Sequence, residues 1–460
     1  MTCGRTFGLM RAPRAPRGLR TLIAILALAA PLVPAAPTSA AVSQNWANYH
    51  GDALHSGYSA STPAPTTPKV VWRVNLDGVM QASPIVVDSF VFAATEHNTV
   101  YGLSRRTGQV VWARHLGAPV PRSALPCGNI DPLGITGTPV YERLDNRVWV
   151  VATTLVGRTL RHTLYGIHAS DGAIVTRTVV DPPNQDPNVL NQRGALNYAQ
   201  GRIVLTYGGH AGDCGNYHGY LVSVPLNGVG PRYYRTGSQG EAGMWQPAGA
   251  AIDSRGYAYA VTGNGRATSG SWDGGNSVQT INIFNTTLHD YFAESTWAQG
   301  NRYDTDLGSS GALVFGDRIW IQGKTSTGYV LNRFALGRIG HPLQTVHNAC
   351  AQQFGGGAVI GTMLILPCTD GIRQLLVNSD HTVRLGWKAA SNITGSPVIG
   401  GGFAWTLDTS AGVLDGLNLR TGARRFSVSV GPVVRFATPA LSGSMLFVPT
   451  KSGITALGGV

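Results

Sequence analysis

The densest group of side chains able to move protons or hold a ligand lies in Gly208–Gly219, GGHAGDCGNYHG. His210, Asp213, Asn216, Tyr217 and His218 fall together there. His210, Asp213 and His218 could ligate a metal. Alternatively, His210, His218 and Tyr217 could serve as the proton-transfer groups of an enzyme acting on a sugar. A second group, Asn264, Trp272, Asp273 and Asn276, sits in the loop 263–276. A third is Asp304 and Asp306 in Arg302-Tyr303-Asp304-Thr305-Asp306, followed by Lys324. Asn264, Asp304 and Asp306 offer the oxygen donors that calcium prefers. Trp245 or Trp272 offers a flat face for a planar ligand or a sugar ring. Each group also has a plainer reading, because glycine-rich loops bond their own histidines and loop carboxylates cap turns. No H-E-x-x-H, G-x-S-x-G or phosphate-loop spacing occurs.

Short strands must position these groups. The segment Ser83–Gly117 holds four apolar runs rich in β-branched and aromatic residues, as half-buried strands require. Thr107-Gly108 supplies a tight turn between the last two. The unit returns along the chain. Tyr165-Gly166-Ile167 with Asp171-Gly172, and Asp415-Gly416-Leu417 with Thr421-Gly422, copy Tyr101-Gly102-Leu103 with Thr107-Gly108; Gly219-Tyr220-Leu221 with Asn227-Gly228 is a looser copy. First strands begin near Ser83, Gly137, Ala195, Ala248, Ser310, Gly357, Ser396 and Thr438. Eight units of roughly 52 residues match the length of propeller blades. The run Val70–Leu76 resembles a fourth strand that lacks the three before it. The chain end, Thr438–Leu457, supplies three strands that lack a fourth. The expected fold is therefore all-β: an eight-bladed β-propeller of four-stranded antiparallel blades, its ring closed by the N-terminal strand pairing with the C-terminal hairpins. Seven blades are the alternative, because Leu307–Ala390 is the least regular stretch.

The pattern Tyr-Gly-Leu-x-x-x-Thr-Gly-x-x-x-Trp (Tyr101–Trp112) resembles the repeat of the pyrroloquinoline-quinone-type propellers. That superfamily includes eight-bladed quinoprotein dehydrogenases and cofactor-free relatives such as the outer-membrane assembly propeller. The resemblance covers nearly all of the chain after the leader, and it implies fold more than chemistry. The repeat tryptophan stands at Trp72 and Trp112, whereas Thr176 and Phe426 replace it elsewhere. The adjacent-cysteine disulfide of quinoprotein dehydrogenases has no counterpart here. PQQ and calcium are the cofactors the resemblance would imply.

In such a ring, the loops joining second to third strands share a face with those joining successive blades. The long polar segments Gly117–Thr136, Thr153–Thr163, Tyr207–Gly219, Arg235–Pro247, Gly263–Ser277, Trp297–Ser309 and Val346–Gly356 all fall there. Long loops on a rigid scaffold are where binding residues concentrate. Four cysteines also fall on this face, and the blade order pairs Cys127 with Cys214 and Cys350 with Cys368. Lys324 is a candidate to face the central channel.

Five arginines precede the apolar run Leu22–Leu28, and small residues follow at Thr38–Ala41, the pattern of a secretory signal peptide ending near Ala40-Ala41. The domain reading is thus a leader over 1–41, a lead-in and Pro/Thr/Ser linker over 42–68, and one propeller over 69–460. Without the leader the chain keeps 30 basic and 23 acidic residues, scattered rather than clustered. Nucleic acid is a poor partner for that distribution. No later stretch is long enough for a membrane helix. The partner expected at the long-loop face of this monomer is a small molecule, a glycan or a protein. Three functions stay open: a secreted binding propeller without catalysis, a PQQ- and calcium-dependent oxidoreductase, or a polysaccharide lyase acting on an acidic glycan.

Overall fold

The computed structural model describes residues 1, 12, 44–237, 239–389 and 395–460. The chain divides into two compact units, Met1–Ala41 and Val42–Val460. The leader expected over residues 1–41 lies outside the described residues, Met1 and Ala12 excepted.

The second unit is an eight-bladed β-propeller. Blade 1 comprises Ile85–Val87, Phe90–Ala94, Thr99–Ser104 and Val110–His115, paired antiparallel in that order. The first strands of blades 1 to 8 are Ile85–Val87, Val140–Glu142, Asn197–Ala199, Ala251–Ile252, Leu313–Phe315, Ala358–Ile360, Val398–Gly400 and Ala440–Ser442. From blade 5 through blades 8 and 1 to blade 4, first strands of neighbouring blades touch one another, so they form the wall of the axial channel. Lys69–Asn75 is the outer strand of blade 8, antiparallel to Gly453–Gly458 with Trp72 opposite Ala456. The ring closes as the sequence predicts. Closure joins the chain ends and leaves no blade incomplete.

The repeat motif has a steric explanation. Trp112 on the outer strand of blade 1 lies over its own Gly102, where an added Cβ would come within 2.4 Å of the indole. The same ring covers Gly172 in the last turn of blade 2 and donates its Nε1–H to the Ala169 carbonyl at 2.9 Å. Trp72 does the same to Gly108 and the Arg105 carbonyl of blade 1. Each tryptophan thus fastens one blade to the next. Trp387 is a third copy, over Gly422 and bonded to the Leu419 carbonyl, and the sequence reading did not include it. At the next interface Thr176 and Thr178 fill the place, with Thr178 Oγ1 donating to the Gly228 carbonyl.

One expected loop departs from the reading of the sequence, and the lead-in has a role that reading did not assign. Thr153–Thr163 is not a long loop, because Arg147–Val156 and Thr159–His168 extend blade 2 into a long hairpin turning at Gly157-Arg158. The lead-in forms a strap that circles the channel wall in blade order. Trp46 exchanges hydrogen bonds with Val86 of blade 1. Carbonyls of Ala47, Ala53, Ser56 and Gly57 then accept the N–H groups of Tyr141, Ile252, Val359 and Ile399, in blades 2, 4, 6 and 7. In blade 3, Asn197 bonds Asn48 and the Ala53 carbonyl through its side chain. Leu54 packs on the core between blades 4 and 5. The first strands are sheet edges, and a buried edge N–H without a partner is costly. The strap supplies those partners from its backbone. Tyr58–Ser59 pairs parallel with Val398–Gly400 as the chain leaves the channel towards Lys69.

Inside the strap Tyr49, His50 and His55 are buried, the ring of Tyr49 stacked on His50 at 4.3 Å. Burial lowers the pKa of His50 to about 4 and that of His55 to about 3. Both rings are therefore neutral in the native state. Below about pH 6.5 the unfolded chain takes up protons that the native strap refuses, so this contribution to stability is lost as the pH falls from 6.5 through 4. Buried Glu96 and Glu294, raised by burial to about 7, act in the opposite sense over the same range. Both His50 and His55 have positive φ, which asparagine tolerates. The fall in Tm between pH 7 and pH 5 should thus be smaller for a His50→Asn/His55→Asn protein than for the wild type; equal falls would contradict the neutral-strap account. Trp112→Ala should destabilise the propeller by about 3–5 kcal/mol in denaturant unfolding, through lost packing and the orphaned Ala169 carbonyl.

Candidate functional site

With the strap across one end of the channel, the other end opens as a mouth of about 680 Å³ on the long-loop face. Its floor is built from the short segments that precede first strands. Arg193 comes from the approach to blade 3, Phe354 from that to blade 6, and Arg435 and Phe436 from that to blade 8. The Arg193 guanidinium carbon lies 4.5 Å from the Phe436 ring centre. That of Arg435 lies 4.4 Å from Phe354 and 5.3 Å from Phe436. Aromatic contact of this kind holds a guanidinium by cation–π attraction while its N–H groups remain able to donate to an anion. Neither arginine forms an ion pair among the described residues. Burial brings the Arg193 pKa down to about 10, against the attraction of Glu96, so it remains a cation at neutral pH.

The wall across the axis from blade 8 belongs to blades 4 and 5. Lys324 Nζ sits between two carboxylates, 2.6 Å from Asp304 Oδ1 and 2.8 Å from Asp306 Oδ2. It lies 5.8 Å from the Trp245 ring centre. Asp306 is almost fully buried and also accepts the Asn264 N–H at 2.7 Å, while the Asn264 amide donates to Asp304 Oδ1 at 2.8 Å. Burial raises the Asp306 pKa despite Lys324. For Lys324, burial is outweighed by the two carboxylates, which hold the ammonium above its usual range.

Asn264, Asp304 and Asp306, the calcium candidates, are therefore neighbours as the sequence suggested. They do not fit a divalent cation. The ammonium occupies the position between the carboxylates, and both Asp306 oxygens and Asp304 Oδ1 already accept N–H donors, far from the six to eight free oxygens calcium takes.

Of the other expected ligand-binding residues, His210, Asp213, Trp245, Asp304, Asp306 and Lys324 line the mouth, whereas Asn216, His218, Asn264, Trp272 and Asp273 do not. Trp272 is stacked on Tyr291 at 4.1 Å and donates to the Gly275 carbonyl. Asp273 accepts the Ala267 and Gly275 N–H groups and shapes its own loop. The Asn216 carbonyl accepts from the Gln185 amide. His210 donates to the Asn188 carbonyl at 3.1 Å, and burial lowers its pKa to about 4. Tyr217 donates to Asp213 Oδ1 at 2.6 Å. Burial, with the charge of Asp213, pushes its phenol well above the ordinary range. His218 bonds the Thr236 carbonyl and is lowered by burial. These three do not converge as an acid–base set.

The disulfides join Cys127 to Cys214 and Cys350 to Cys368, with Cα separations of 6.0 and 5.1 Å. The first staples the rim, tying the loop that carries Asn129 and Ile130 to the one that carries His210 and Asp213. The second anchors the segment that leads to Phe354.

The sequence reading missed Arg193, Phe354, Arg435, Phe436 and Lys451 in the lining. Loop length was the misleading cue. The floor comes from residues just ahead of first strands, so position in the repeat was the signal to follow.

A family model described as the outer membrane protein assembly factor BamB matches residues 64–127. No curated protein matches the chain. Among solved structures, a quinohemoprotein alcohol dehydrogenase from Comamonas testosteroni superposes with a TM-score of 0.70 at 14% identity, over 91% of this chain and 81% of its own. A europium-containing methanol dehydrogenase gives 0.69 at 11%, over 90% of this chain and 98% of its own. BamB from Moraxella catarrhalis gives 0.57 at 13%, over 85% and 97%. The chain shares the β-propeller fold of these structures, and residues 64–127 carry the repeat of the matched family model. Among the described residues no helix is long and apolar enough to cross a membrane.

If Lys324 stands in for a cation, its removal should create a metal site. Lys324→Ala is expected to destabilise the protein by about 3–5 kcal/mol by leaving Asp306 buried and unpaired. Millimolar calcium should restore part of the lost Tm in that variant and leave the wild type unchanged. A calcium response in the wild type, or none in the variant, would refute the substitution.

Proposed function

We propose that this quinoprotein-like propeller is exported and binds a small anionic ligand in its axial mouth, without chemistry of its own. The observation that carries the reading is the pair of stacked guanidiniums, Arg193 and Arg435, cationic and without ion-pair partners at the floor of the cavity. Its volume is within the roughly 300–1,000 Å³ usual for small-molecule sites. The leader pattern and the two disulfides support export to an oxidising compartment.

The oxidoreductase reading draws on the two dehydrogenases of the same fold and on Trp245, which could stack on a planar cofactor. PQQ, bound here, would supply quinone redox chemistry, and Arg193, Arg435 and Lys451 would be the residues to receive its carboxylates. The metal that would accompany it lacks a donor set, because Lys324 takes up Asp304 and Asp306.

Thermal unfolding with millimolar citrate, glucuronate or PQQ tests both. At least one of these carboxylates should raise the Tm by several degrees, as preferential binding to the native state requires. The shift should vanish in Arg193→Gln/Arg435→Gln. Absence of any shift, or an equal shift in the double variant, removes the anion site. PQQ with calcium should reduce no artificial dye in the presence of alcohols or sugars; PQQ-dependent reduction would favour the oxidoreductase.

A further inference from the structure

The charges of the mouth are sorted across the axis. Arg435 and Lys451 enter from the blade 8 side and Arg193 covers the floor. Asp304, Asp306 and Trp245 enter from the side of blades 4 and 5, which stand opposite blade 8 in an eightfold ring, and Asp213 comes from blade 3. A ligand carrying carboxylates on all sides would meet Asp213 and Asp304 at one end. A neutral ligand would leave the guanidinium edges unused. What fits is anionic at one end, rich in hydroxyl donors at the other, and flat enough on one side to lie against an indole.

We infer that the mouth takes a sugar acid, with its carboxylate on Arg193 and Arg435 and its ring against Trp245. This rests on the reading of the mouth as an anion site and names the class of anion. The carboxylate receives N–H donors from the guanidinium edges, whose faces are already covered by Phe436 and Phe354. The ring hydroxyls donate to Asp213 and Asp304, which line the mouth and each keep one carboxylate oxygen outside the bonds made to Tyr217, Asn264 and Lys324. A ring face of C–H groups covers the exposed part of Trp245. Lys324, already held by two carboxylates, does not compete for the anionic end.

Isothermal titration calorimetry on the full chain distinguishes the inference from the reading beneath it. The probes are glucuronate, galacturonate and trigalacturonate, against glucose, galactose, citrate and phthalate. At least one acidic sugar should bind ten-fold or more tightly than every neutral sugar and every non-sugar carboxylate. Arg435→Gln should weaken that binding at least ten-fold. Trp245→Ala should weaken the acidic sugar but not citrate, with Trp245→Phe as the milder variant should the alanine protein misfold. Citrate or phthalate binding as tightly as the uronates, in an Arg435-dependent way, would overturn the sugar acid and leave the anion site standing. No binding by any acid would remove both. Neutral sugars binding as well as uronates would show that the guanidiniums do not select the ligand.

Discussion

A ring of eight blades has one unavoidable defect: its axial wall is made of eight strand edges. Each edge carries N–H groups that no neighbouring strand can reach, because neighbouring blades meet face to face. The strap of residues 44–58 answers this in a single circuit, offering carbonyls from Ala47, Ala53, Ser56 and Gly57 to four blades and a two-way pairing from Trp46 to a fifth. The consequence is directional. One end of the channel is filled by backbone and by the stacked rings of Tyr49 and His50. The opposite end keeps its volume and opens on the long-loop face.

The floor of the mouth follows from the same geometry. Residues just before the first strands of blades 3, 6 and 8 line the mouth at the axis. Arg193 and Arg435 are brought there from blades far apart in sequence, and mutual repulsion would separate them in water. Phe436 lies between the two, and Phe354 takes the other contact of Arg435. Aromatic faces attract both cations while leaving their donor edges unsatisfied. Such an arrangement is preorganised, since a ligand need not order two long side chains on binding.

What was readable in the sequence divides by physical cause. The repeat, the count of eight, the ring closure and both disulfides were legible because each rests on side-chain periodicity or on blade order. Glycines under Trp72 and Trp112 advertise themselves, since no other residue fits beneath the indole. Trp387 was missed because no Tyr-Gly-Leu motif precedes it; the strand before it reads Gly371–Val377, GIRQLLV. The strap was illegible for a different reason. Its bonds run from backbone carbonyls, which every sequence possesses, so Asn45–Tyr58 reads only as a polar lead-in. Asp304 and Asp306 were rightly grouped, but the partner that decides their role, Lys324, arrives from the next blade.

That lysine also separates what a fold carries from what a site does. A cation held between Asp304 and Asp306 can be supplied by a bound metal or by the chain itself, and both answers satisfy the same two carboxylates. The ammonium does so from within the chain, and it ties the loop of blade 5 to the segment that carries both carboxylates. A chain can therefore keep the whole propeller, with its closing strand and its tryptophan-over-glycine contacts, while one side chain decides what cation those two carboxylates face. The polarity of the cavity then rests on the residues left unpaired. These are Arg193 and Arg435 on the floor, held against Phe436 and Phe354 and without an ion pair among the described residues.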